Sequence, residues 1–166
     1  VTADPRRWIG LAVLVLPVLL IAVDNTVLGF AIPQLTADLR PSSSQLLWII
    51  DIYSFVVAGF LVVMGALGDR IGRRRLLLIG GACFGIASVL AAFAPSAEAL
   101  IAARALLGAA GATLMPSTLS LISSLFPDRR ERGTALAVWA VMFGVGGTLG
   151  PIVGGVLLEH FWWGSV

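Results

Sequence analysis

Gly65-Ala66-Leu67-Gly68-Asp69-Arg70-Ile71-Gly72-Arg73-Arg74-Arg75 separates two long apolar runs, and its shortness decides how the chain folds. Three glycines, one acid and four arginines between two runs of bilayer-spanning length make a tight membrane loop. Gly65 and Gly68 are expected to keep the end of the preceding helix slim. Gly72 is expected to take the left-handed backbone that reverses a chain within a few residues. At such a turn Asp69 can accept from free amides at a helix start or pair with a nearby arginine, a chemistry suited to a latch.

Outward from this loop the chain is bilayer material. Of its 166 residues 58% are hydrophobic and 12% charged, with a mean hydropathy of +1.00, whereas soluble domains carry about 25% charged residues. The hydropathy predicts an all-α integral membrane bundle with spans at 8–33, 46–68, 76–95, 99–127 and 133–158. Each reaches the roughly 20 residues a spanning helix needs once Asp24 and Asn25 are taken into the first. Phe161-Trp162-Trp163 reads as the interfacial start of a sixth span near 161, because tryptophans favour the headgroup level. On that reading the chain stops partway through a bundle. The first run lacks a small-residue cleavage site and is taken as a retained helix rather than a signal peptide. Cys83, the single cysteine, has no disulfide partner and no metal spacing around it.

All eleven basic residues are arginines. Arg6 and Arg7 precede the first span, Arg70, Arg73, Arg74 and Arg75 follow the second, and Arg129, Arg130 and Arg132 follow the fourth. Nine of eleven therefore lie on one side, which the positive-inside bias makes the cytoplasm, with the amino terminus inside a plasma membrane. That placement is topological and gives no reason to expect a nucleic-acid partner. Neither a Walker-type phosphate loop nor a constellation built on the one histidine, His160, can be assembled, which argues against an enzyme or an ATP-driven pump.

Charges inside apolar runs are expensive, about 2.5 to 3.5 kcal/mol at the bilayer centre, and mark function by default. Asp24 is expected about nine residues, roughly 13 Å, inside the outer end of the first helix if that helix closes near Pro33. Asp51 lies about five residues, roughly 8 Å, below the outer start of the second helix, and Arg104 about six residues, roughly 9 Å, below that of the fourth. One shared layer suggests one polar cavity in which carboxylates and guanidinium compensate one another. For Asp51 a wet interfacial position is the competing reading. A carboxylate whose access to water changes through a cycle can take up and release a proton, which is what proton coupling requires.

Gly146, Gly150 and Gly154 share a helix face, with Gly147 and Gly155 beside them, and Pro151 leaves the carbonyl of Gly147 without its amide partner. Such spacing serves simple packing or a slim, bendable helix. Trp48, Tyr53, Trp139 and Phe143 are candidates for an aromatic wall accepting an organic cation, packing being the alternative.

These segments resemble the major facilitator superfamily. Residues 65–75 match its G-x-L-a-D-r-x-G-r-r loop, which implies that Gly65, Asp69, Arg70, Gly72 and Arg73 help latch the two halves of a transporter on the cytoplasmic side. Asp24-Asn25-Thr26-Val27 with Ala31-Ile32-Pro33 is similar to the first-helix D-x-T-V-x-N-V-A-x-P segment of the fourteen-span drug:proton antiporters, Gly29 and Phe30 departing from it. Leu100 to Gly111 is similar to the fourth-helix l-x-x-x-R-x-x-q-G-x-g pattern, which puts the family's proton-transfer arginine at Arg104, with Leu107 replacing the glutamine. Trp48 to Tyr53 resembles the start of the second helix in exporters of quaternary ammonium compounds and dyes. Gly146-x-x-x-Gly150-Pro151-x-x-Gly154-Gly155 resembles the fifth-helix antiporter motif, found in exporters.

The resemblance covers essentially the whole chain. It implies the amino-terminal portion of a multidrug:proton antiporter that needs no cofactor beyond the proton gradient. Its partners would be lipophilic cations, protons, the bilayer and a missing carboxy-terminal helical bundle. A dedicated metabolite or lipid exporter shares every motif, and a truncated, non-transporting membrane protein is the third alternative.

Overall fold

A computed structural model describes residues 5–166. It contains five long α-helices: α1 (Pro5–Leu39), α2 (Ser43–Ile71), α3 (Arg73–Ala92), α4 (Ala97–Leu125) and α5 (Arg129–His160). All five are long and apolar enough to cross a membrane. No strand occurs among the described residues.

Their starts are written in the sequence. Ser42 caps α2 by accepting from the Gln45 amide while the Gln45 side chain accepts from the Ser42 amide, a reciprocal capping box. Ser96 accepts from the Ala99 amide at α4, and Asp128 accepts from the amides of Arg130 and Glu131 at α5. Gln45 also donates to Glu98 at 2.9 Å, tying the starts of α2 and α4 together.

The first helix does not close at Pro33. It runs six residues further to Leu39, since Pro33 removes one hydrogen bond and a long apolar helix held by its neighbours tolerates that loss. Leu35 packs fully buried with Ile49, Ala97, Leu100 and Trp163. Asp24 is consequently fifteen residues, about 22 Å, from the helix end and close to its middle. Residues 161–166, where the start of a sixth span is expected, are not α-helical over the six residues described. Phe161 is extended and Trp163–Ser165 forms a 3-10 turn whose buried Trp163 closes the end of the bundle.

α4 is the axis of the bundle, lying along α2 and α3 and touching α1, whose main partner is α5. Small residues permit this closeness. A β-carbon at Gly80 would collide with Thr113 across the α3–α4 contact, and one at Gly10 would stand 2.9 Å from Leu125. Three buried clusters stack from the arginine-rich end to the opposite end: Phe126 with Leu11 and Ile122, then Tyr53 with Phe84 and Leu107, then Leu35 with Ile49 and Trp163. Large apolar side chains such as Val62, Leu78 and Phe55 cover the outside, as expected where hydrocarbon is the solvent.

Candidate functional site

Asp24 of α1 and Arg104 of α4 meet inside the bundle. Oδ2 of the aspartate lies 3.8 Å from Nη1 of the arginine, and their side chains are 17% and 6% exposed. Register explains the meeting. Ala22 and Thr26 face α5, and Asp24, two residues from each, turns to the opposite side of α1 toward α4. Beside the pair is a recess of about 70 Å³ lined also by Leu28, Ser88, Leu100 and Trp163. At about 30 Å³ per water that space suits a few waters and no drug-sized molecule.

Asp51 does not join them, so the single cavity expected for three charges holds only two. It sits exposed on α2 in a shallow groove with Ser44, Leu47, Trp48 and Phe55. Tyr53, two residues on and thus about 200° around the helix, is buried against α4. That Asp51 lies within α2 was legible; the direction of its side chain was not.

The glycine stripe of α5 grips the other side of α1. β-Carbons at Gly146, Gly150 and Gly154 would run into Ala22, Thr26 and Val27 respectively, while Gly147 and Gly155 face open space. Thr26 turns its hydroxyl onto the carbonyls of Ala22 and Val23, so the oxygen that faces Gly150 of α5 is hydrogen-bonded within α1. Pro151 lies within α5, which stays helical through it.

At the loop after α2 the expected turn is present. Gly72 has φ +97 and ψ 131, donates to the carbonyl of Gly68 at 3.0 Å, and alone separates α2 from α3. Arg73 Nη2 donates to Asp69 Oδ1 at 2.6 Å, so Asp69 takes the arginine rather than the amides. Gly68 makes the room: a β-carbon there would stand 2.8 Å from Arg73 Nη1. Gly65 has nothing within 4 Å of such an atom, so the slim helix end rests on Gly68 alone, and Arg70 is exposed.

The four aromatic candidates are divided among three places. Trp48 is half exposed and edge-on to Phe55 on α2. Trp139 and Phe143 of α5 stack edge to face at 5.3 Å, with Trp139 donating to Thr118 of α4 at 3.1 Å. Tyr53 lies under Arg104, whose guanidinium carbon is 5.3 Å from the ring centroid. That neighbour was not read from the sequence. The available signal was Gly108 and Gly111, on the same face of α4 as Arg104, which make room for one large side chain of another helix.

The site is thus a multi-pass helical bundle with the Asp24–Arg104 pair in its middle, the bonded Asp69–Arg73 loop at one end and a small-residue stripe packed on the helix that carries Asp24. The chain belongs to the Major Facilitator Superfamily, whose sequence model matches residues 14–166. It is 65% identical over 161 residues to the multidrug efflux pump LfrA of Mycolicibacterium smegmatis and 50% identical to the methyl viologen resistance protein SmvA of Salmonella typhimurium. Each alignment covers 97% of this chain and 32% of the relative. The riboflavin transporter RibZ of Clostridioides difficile is 32% identical over 97% of this chain and 35% of its own length. The chain spans about a third of the length of these curated relatives.

Proposed function

We propose that the protein is the amino-terminal portion of a proton-driven exporter of lipophilic cations, with Asp24 as the proton-binding group. The observation that carries this is the Asp24–Arg104 pair beside a recess sized for water. Proton and cation compete for one negative charge. With Asp24 ionised, the site is neutral overall and tolerates an organic cation nearby; a proton arriving from outside leaves Arg104 uncompensated and disfavours the cation. The name of LfrA supports efflux, and that of SmvA supports this class of cargo, methyl viologen being a dication.

Asp51, with Trp48, is proposed to face the remainder of the transporter, because an exposed carboxylate on a membrane helix needs a polar neighbourhood. There it would attract cations or serve as a second proton acceptor. Trp139 and Phe143 would contribute to the substrate cavity from α5. Asp69 and Arg73 would latch the cytoplasmic side while the cavity faces outward, as the two halves rock about the site. The second reading is export of a dedicated metabolite; the similarity to RibZ, a riboflavin transporter, supports a metabolite as cargo.

Efflux of ethidium from energised cells expressing the full-length protein tests the proposal. Wild-type efflux is expected to fall at least tenfold with Asp24→Asn and with a protonophore, at unchanged membrane levels. Absence of efflux by the wild type, against riboflavin-sized metabolites that do move, would instead favour the second reading.

A further inference from the structure

Tyr53, the aromatic neighbour of Arg104, is 2% exposed and occupies a seat cut for it. A β-carbon at Gly108 would stand 2.7 Å from the Tyr53 carbonyl oxygen and 3.0 Å from Val56, and one at Gly111 would stand 2.9 Å from the Tyr53 hydroxyl. Arg104, Gly108 and Gly111 therefore share one face of α4 and one partner on α2. Leu107 and Phe84 complete the buried surround.

The ion pair by itself holds Arg104 loosely. At 3.8 Å it is an electrostatic contact without a hydrogen bond, and Asp24 Oδ2, Arg104 Nε and the Tyr53 hydroxyl are buried with no hydrogen-bond partner among the described residues. Among the described residues, Asp24 and Arg104 supply the ionisable side chains that line the adjoining recess, α3 contributing Ser88, Ala91 and Ala92. When a proton neutralises Asp24, the ring of Tyr53 is the attraction that remains on the guanidinium, because a cation–π contact does not depend on the state of the carboxylate.

We propose that Tyr53 is a positioning residue that keeps the Arg104 charge in place while Asp24 is protonated, so that proton arrival is felt as a fixed positive charge by the exported cation. The inference rests on the proton-driven exporter reading. Without the ring, Arg104 is free to move away from the neutralised acid, and protonation no longer expels the cargo. Binding and exchange of the cation do not need the clamp; coupling does. The aromatic face carries the effect, and the hydroxyl is dispensable.

The test uses the full-length protein with Tyr53→Phe and Tyr53→Leu. Energised ethidium efflux by Tyr53→Phe is expected within about twofold of wild type, since the ring is kept. Tyr53→Leu is expected to lose energised efflux about tenfold or more while downhill ethidium exchange in de-energised vesicles persists within about threefold, on the premise that the cation–π contact alone is removed. The proposal is overturned if Phe fails as Leu does, if Leu pumps like wild type, or if Leu loses exchange along with efflux at normal membrane levels.

A melting-temperature cycle on the purified protein keeps this separate from the exporter reading itself. Tyr53→Leu should lower the midpoint clearly in the wild-type background and much less in Arg104→Gln, whether or not ethidium is a substrate. Additive effects would overturn the contact even if efflux is proton-driven. Wild-type failure to move ethidium with a non-additive cycle would sink the cation-exporter reading, and with it the coupling role, while leaving the Tyr53–Arg104 contact standing.

Discussion

At the scale of single residues, two glycines in one motif have opposite prospects. A methyl group at Gly150 would enter the space of Thr26, whose neighbour two residues back is Asp24, whereas Gly147 faces nothing within 4 Å. Overpacking a close contact costs about 1–3 kcal/mol, and a substitution into open space stays within about 0.5 kcal/mol. Gly150→Ala is therefore expected to lower the melting temperature of the purified full-length protein and to reduce efflux by displacing the Asp24 segment, while Gly147→Ala leaves both nearly unchanged. The reverse order would show that the register of α1 on α5 is wrong. Of this, the spacing of Gly146, Gly150 and Gly154 was legible in the sequence, and the partners Ala22, Thr26 and Val27 were not. Helices that are apolar on every side carry no amphipathic stripe pointing inward, so only small and polar residues announce the buried face.

At the scale of elements, the loop between α2 and α3 separates backbone geometry from charge. Gly72 at φ +97 lies where a side chain is strained by about 1–3 kcal/mol, although space for the side chain is open. The Asp69–Arg73 pair has an aspartate 71% exposed, and surface pairs of that kind contribute about 0–1 kcal/mol. Gly72→Val is thus expected to depress the melting temperature well below that of Asp69→Asn, whereas Asp69→Asn should slow efflux with little loss of stability. Equal melting temperatures would refute the strain assigned to Gly72; unchanged efflux would refute the latch. The number and order of helices followed from hydropathy, and the loop followed from its glycines. The end of α1 did not, because Pro33 reads as a terminator in water-soluble proteins and is accommodated here inside a packed membrane helix.

At the scale of the molecule, the orientation in the membrane follows from where charge gathers. Arg7 and Glu131 approach to 3.8 Å and join the starts of α1 and α5 at the same end of the bundle as the α2–α3 loop. The opposite end holds the Ser42 and Ser96 caps and the Gln45–Glu98 hydrogen bond, with Arg40 the one arginine of those loops. An arginine-dense face is retained on the cytoplasmic side during insertion, because each added positive charge there opposes translocation. Cysteines introduced singly at Arg74 and at Ser43, in a full-length background freed of other cysteines, read this directly. Ser43→Cys is expected to react with a membrane-impermeant maleimide on intact cells, and Arg74→Cys only after permeabilisation. Asp24 would then be reached from the side bearing Ser43, since Arg104 begins seven residues, about 10 Å, inside the start of α4 at that end. Labelling of Arg74→Cys on intact cells would invert the molecule, place the shorter path to the Asp24–Arg104 pair on the cytoplasmic side, and remove the outside proton entry that the exporter reading requires.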